Sequence, residues 1–118
     1  MKEKSPNEGQ LMLTVNENTS IIFGNDDMRL TYLGNGKHGF NFLVVSKQPL
    51  NNTAINLGGK YASTIQVKRN DLFQLAINVS FFVSRLTASE HGVLVGVRAP
   101  REYPVHREKV FQRIQASA

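Results

Sequence analysis

Few residues in this chain have the types and spacing that chemistry requires. The three histidines, His38, His91 and His106, stand far apart, the first two each beside a glycine in a turn-like stretch, and the chain has no cysteine. A transition-metal site needs several such donors, usually in short-spaced pairs, so neither a metal nor a cofactor is expected. No acid or nucleophile is patterned with His106, which fits a packed or hydrogen-bonded strand residue. The adjacent Asp26-Asp27 reads as a turn rather than an acid–base pair. Neither a phosphate-cradling glycine loop nor a nucleophile elbow occurs, and enzyme activity is not expected. What remains is cationic. Lys68-Arg69 could be an ordinary solvated strand end, and Arg107 the first residue of a helix with its head in water.

The charge is uneven. The whole chain carries 14 Lys and Arg against 9 Asp and Glu, a formal +5. Residues 1–60 hold six cations against five anions, and residues 61–118 hold eight against four, so the second half carries +4 of that total. A modest positive surface favours polyanionic partners, although many small basic domains bind no nucleic acid. The lack of cysteine removes disulfides and thiolate sites and fits a reducing compartment. No apolar stretch approaches the roughly 20 residues needed to span a bilayer, and the polar start Met1–Pro6 leads into no signal region. A cytoplasmic protein with no membrane partner is expected.

The elements that must position these residues are short strands. The first ten residues read as a flexible tail. Strand character follows at Leu11–Val15, Ser20–Gly24, Met28–Leu33 and Phe40–Val45. In the third run Met28, Leu30 and Tyr32 alternate with Arg29 and Thr31, the period of a half-buried strand. Gly34-Asn35-Gly36 and His38-Gly39 supply the turn of a hairpin between the third and fourth runs. A further short strand fits around Thr53–Asn56. Strand character resumes at Thr64–Lys68, Leu72–Ile77, Val79–Leu86 and Val93–Val97, and Ala99-Pro100 closes the series because proline cannot donate to a ladder. Arg107–Gln115 differs: Val110, Phe111 and Ile114 recur at helical spacing among polar residues, which makes a short amphipathic helix that needs its apolar stripe docked.

The series occurs twice. Placing Leu11-Met12-Leu13-Thr14-Val15 over Ile65-Gln66-Val67-Lys68-Arg69 brings Ile21-Ile22-Phe23 over Leu75-Ala76-Ile77 and, with one residue of slack, Leu30 and Leu33 over Val83 and Leu86. Two more residues bring Pro49 over Pro100 and Thr53–Asn56 over Pro104–Arg107. The repeat rests on pattern and spacing, with few identities. It divides the chain into a tail over 1–10, a first unit over 11–57 without a helix, a linker over 58–63, and a second unit over 64–118 ending in a helix.

The stretch Gly96-Val97-Arg98-Ala99-Pro100-Arg101-Glu102, followed by Val105-His106-Arg107-Glu108 and the helical Val110-Phe111-Gln112-Arg113-Ile114, resembles the end of the carbon storage regulator (CsrA/RsmA) family of RNA-binding translational regulators. Upstream, Ile65–Val95 matches the family in strand lengths and turn positions. The first unit resembles it through Leu11–Thr14, Ile22-Phe23-Gly24 and Leu30–Gly34. The resemblance implies an all-β fold with one short C-terminal helix, in which two five-strand units interleave as a covalent pseudo-dimer β-sandwich or barrel. Fusion would hold the two units at high effective concentration.

Family dimers bind single-stranded GGA elements, often in hairpin loops of messenger leaders. Each family site joins an L-T-R-R first strand of one subunit to a V-H-R last strand of the other. Carried over, one site pairs Leu13-Thr14-Val15-Asn16 with Val105-His106-Arg107; it keeps the leucine, the threonine and the central Arg107 but lacks both first-strand arginines. The other pairs Val67-Lys68-Arg69-Asn70 with Ala54-Ile55-Asn56; it keeps Arg69 beside Lys68, with Asn56 where the last-strand arginine belongs. The implied function is a post-transcriptional regulator, monomeric as a fused chain, that binds RNA rather than DNA through one asymmetric site built on Arg107. The rival expectation is a protein-interaction module that pairs with or antagonises an ordinary family member and binds little RNA. A third arrangement folds only residues 64–118 in the family manner, as a dimer of chains, with residues 1–60 as an appended β element.

Overall fold

Alternation of apolar and polar side chains is what makes these segments strands. In Met28–Gly36, Met28, Leu30 and Tyr32 are buried while Arg29 and Thr31 between them are only half-buried. This two-residue period puts one face of the strand inward and the other outward. The computed structural model describes residues 8–50, 54–87 and 91–117. They form β1 (Glu8–Asn16), β2 (Ser20–Phe23), β3 (Met28–Gly36), β4 (Gly39–Ser46), β5 (Ile55–Leu57), β6 (Lys60–Val67), β7 (Phe73–Ala76), β8 (Val79–Leu86), β9 (Gly92–Pro100), β10 (Val105–Arg107) and α1 (Glu108–Ser117). No helix among the described residues is long and apolar enough to cross a membrane.

The strands form two antiparallel sheets, one in the order β1-β9-β8-β7 and one in the order β10-β2-β3-β4-β6-β5. A single core lies between them. Ile21, Phe23, Leu30, Tyr32, Phe42 and Val44 from the larger sheet meet Val15, Phe81, Val83, Val93 and Val95 from the smaller. Tyr32 and Phe42 lie 5.3 Å apart, Phe42 and Phe81 5.1 Å, and Phe81 and Phe73 5.9 Å, a run of tilted and edge-on contacts that joins the sheets. Ile22 is fully buried but faces away from this core. The helix, packed on β2 and β10, is the element placed to cover it. Val110 and Phe111 are half-buried there, whereas Ile114 remains 46% exposed, so the docking stripe is narrower than the helical spacing suggests.

Each sheet draws on both halves of the chain. β1 pairs with β9 along nine residues, from Glu8↔Pro100 to Asn16↔Gly92. β10 pairs with β2, and β6 with β4. Residues 8–50 are therefore not an appendage folded on themselves. The radius of gyration, 14.0 Å, is close to the roughly 13.5 Å of a single compact domain of this length.

Corresponding details recur in the two halves. β3 carries a bulge between Tyr32 and Gly34, and β8 one between Val83 and Arg85. At the corner after β1, Asn18 has φ 65° and its N–H donates to the Tyr32 carbonyl; at the corner after β6, Asn70 has φ 66° and donates to the Val83 carbonyl. Asparagine tolerates this left-handed geometry better than most residues. These pairings set Leu13 against Ile65 and Tyr32 against Val83, two residues away from the register the sequence suggests. A slide of two keeps every side chain on its face, so the hydrophobic pattern alone does not distinguish the registers.

Three boundaries also differ from expectation. The last three residues assigned to the tail, Glu8-Gly9-Gln10, belong to β1, held by the full length of β9. The linker over 58–63 is confined to the tight turn at Gly58-Gly59, with φ 64° and 94°, because β6 starts at Lys60 and continues across β4. The short strand around Thr53–Asn56 is Ile55–Leu57, with Thr53 outside the described residues.

Candidate nucleic-acid interface

β1 and β10 are terminal strands of different sheets. On the side away from its partner each presents backbone N–H and C=O groups without a neighbouring strand among the described residues, which is where a sheet can receive another chain. The chain brings these two edges together along one side of the sandwich. Toward one end, Gly9, Gln10 and Leu11 of β1 line a shallow cleft with Pro104, Val105 and His106. Toward the other, Thr14 and Asn16 line a cleft of about 510 Å³ with Arg107 and the first turns of α1.

The corner after β1 shapes the second cleft. The Thr19 hydroxyl donates to the Asn16 carbonyl at 2.7 Å and accepts the Asn16 N–H at 3.0 Å. The Glu17 N–H donates to the His91 carbonyl at 2.8 Å, and that of Asn18 to Tyr32 at 2.7 Å, so the corner is tied to both sheets. Thr14 precedes this corner on β1, and Arg107 is held by the pairing of β10 with β2.

Leu13 faces inward, half-buried against the core, and lines neither cleft, whereas Thr14 is exposed and lines the second. Val105, packed against the core, and His106, half-buried opposite Ile22, line the first cleft; of this strand only Arg107, exposed opposite Ile21, lines the second. The Arg107 side chain makes no ion pair or hydrogen bond with a described residue. Its neighbour Glu108 does not neutralise it, because the Glu108 carboxylate accepts Arg29 Nη1 at 2.8 Å. Arg29 Nε also donates to Asp26 at 3.1 Å, and these bonds, Asp26's first, hold the guanidinium more firmly protonated than usual. Lys109 and Arg113 of α1 line the same cleft, so its wall carries three cations and one carboxylate already engaged by Arg29. The arrangement suits a phosphate or a base edge.

The other expected pairing is not made. β5 folds back on β6, with Asn56 opposite Tyr61 and its side chain accepting the Gly59 N–H. Arg69 lies eight residues beyond Tyr61, about 27 Å along an extended chain, and its Nε donates to the Ser84 carbonyl at 2.7 Å. Lys68 is exposed at the same corner. The hairpin at Gly58-Gly59 needs only a tight turn, whereas carrying residues 54–56 to Arg69 needs a crossing of the sandwich. Among the described residues no group of His, Asp or Glu could hold a metal ion.

Two features of this region escaped the sequence reading. The Arg29–Glu108 pair joins residues 79 apart, and no local signal marks it. The contribution of Lys109 and Arg113 follows from the helix lying beside β1, which helical spacing alone does not give. No family model matches the chain, and no solved structure matches it.

Proposed function

We propose that this chain is a single-chain RNA-binding regulator acting after transcription, similar to the carbon storage regulators, with one working site between β1 and β10. The observation that carries the reading is the unpaired Arg107, held beside Thr14 in a cleft between two open strand edges whose wall is rich in cations. Single-stranded RNA is read by such surfaces, where main-chain groups at a sheet edge and arginines meet splayed bases. The strand exchange between halves, the matched bulges and the matched Asn18 and Asn70 corners support an origin as two interleaved copies. The copies are unequal. β10 covers β2, but β5 lies on β6 and leaves the corresponding edge of β7 without a strand among the described residues. One site per chain follows, and the ligand is a GGA-type element in a loop, in keeping with the Val105-His106-Arg107 strand.

A specific observation favours a second reading. Beside the open β7 edge lies an apolar groove formed by Leu50, Leu75, Ile77, Val79 and Tyr103, with Ile77 84% exposed. Such a surface fits a protein partner that adds a strand, for instance an ordinary family member. Amide chemical-shift mapping with a short GGA-loop hairpin separates the two. Shifts confined to Leu13–Asn16 and Val105–Arg113 support the RNA site; no shifts there, together with shifts around Leu72–Val79 on adding a family protein, support the second reading.

A further inference from the structure

The solvent face of the β1-β9-β8-β7 sheet carries a constellation outside the cleft. Phe81 and Phe82 are consecutive, and the strand period sends Phe81 into the core and Phe82 outward, where it is half-buried. Opposite Phe82 in the register is Gly96, and the ring lies across it: a Cβ added there would stand 2.3 Å from the ring Cζ. The Arg98 guanidinium sits 5.7 Å from the ring centroid, and its Nε donates to Gln10 at 3.3 Å. On the other side of Phe82, beyond the β8 bulge, Arg85 is exposed opposite Leu94, and its side chain makes no bond to a described residue. Arg69, bound to the Ser84 carbonyl, stands at the same bulge.

Three rows cross this face: Gln10–Arg98–Ser80, Met12–Gly96–Phe82 and Thr14–Leu94–Arg85. None of these nine residues is a carboxylate. The Arg98 and Arg85 rows are four residues apart on β9, about 13 Å, with the ring between them. A half-buried aromatic ring with guanidiniums on either side, crossed by three rows that carry no carboxylate, has the chemistry of a stacking platform, where a base lies on the ring and phosphates meet the arginines. Thr14 belongs to the third row and also lines the Arg107 cleft, so a strand leaving the cleft over β1 runs directly onto this face.

We propose that this face binds the single-stranded RNA flanking the element held in the cleft, with Phe82 stacking one base and Arg85 and Arg98 contacting its phosphates. The proposal rests on the RNA-binding reading above and adds a second contact surface to it.

The test compares a blunt GGA-loop hairpin with the same hairpin carrying a short oligouridine tail on its 5′ or its 3′ end. One tail is expected to tighten binding about tenfold, the order a single stacked base contributes. Phe82→Leu keeps an apolar cover over Gly96 but removes the aromatic face; it should abolish the gain and leave blunt-hairpin affinity unchanged. Phe82→Tyr should keep the gain, and Arg85→Gln should reduce both the gain and its salt dependence. Thermal unfolding of each variant shows that the sheet is intact. A tail that adds nothing to the wild type, or a gain that survives Phe82→Leu, overturns the platform. The two readings fail separately: Arg107→Ala should weaken blunt-hairpin binding while the tail gain persists. If the blunt hairpin is not bound selectively, free oligouridine is the probe. Phe82-dependent binding to it would then retain the platform without the cleft, and no binding would overturn both.

Discussion

Arg107 and Tyr32 show how a neighbour decides what a side chain does. Arg107 is free to meet a ligand because Glu108, the carboxylate next to it, is taken by Arg29. Tyr32 is fully buried, and its hydroxyl reaches no partner among the described residues. A buried hydroxyl without a bond costs more than it returns, so Tyr32→Phe is expected to stabilise the fold by about 1 kcal/mol, read as a higher urea midpoint. Burial, with the Glu17 carboxylate adding to it, raises the Tyr32 phenol above its ordinary 10.0; burial and then Asp27 raise Tyr103 in the same way. Because the folded-state values are raised, the unfolded chain gives up these protons first. The stability involved is complete below the ordinary value and is lost as pH rises past it. Alkaline unfolding should therefore steepen above about pH 10, and less so in Tyr32→Phe. At this scale the sequence makes Arg107 legible through the Val105-His106-Arg107-Glu108 run. The Arg29–Glu108 bond is not legible, because it depends on where α1 comes to rest.

Among the elements, the hairpin of β3 and β4 was readable from alternation and the glycines between the two runs, and β8 and β9 were readable as strands. Their relative register was not. Leu13 faces the core in either of two placements two residues apart, and what selects one is the pair of corners in which Asn18 and Asn70 bond to Tyr32 and Val83. Nor was β5 readable as a hairpin on β6. Ile55 and Leu57 are 63% and 60% exposed, so burial gives that strand no preferred face. Gly96 tests how tightly β8 and β9 are fitted. Gly96→Ala must displace the Phe82 ring and is expected to destabilise by about 1–3 kcal/mol, the usual cost of overpacking. Combining it with Phe82→Ala should recover part of that loss, since both act on one contact. Additive losses in a denaturation series would show that the ring does not lie across Gly96. Gly39 is fitted for a different reason: its φ of 145° and a Val67 carbonyl 2.6 Å from where a Cβ would sit leave room only for glycine.

At the scale of the whole molecule, two halves share one core and exchange strands, so neither is complete alone. Residues 60–118 by themselves lack β1 beside β9 and β2 beside β10. That fragment should not fold as a monomer, whereas the intact chain should sediment as one; an intact chain that sediments as a dimer would contradict the closed core. The same asymmetry that places β10 on β2 and β5 on β6 leaves the Arg107 cleft without a counterpart at the β7 edge among the described residues. The most direct test of that claim is a titration of wild type and Arg107→Ala against GGA-loop and GCA-loop hairpins at two salt concentrations. Phosphate contacts alone would give salt-sensitive binding indifferent to the loop. The expected result is preference for the GGA loop at both salts, one hairpin per chain, and a loss of about ten- to a hundred-fold on Arg107→Ala, the worth of one bidentate arginine–base contact. Equal and weak binding to both loops, unchanged by the substitution, would contradict it.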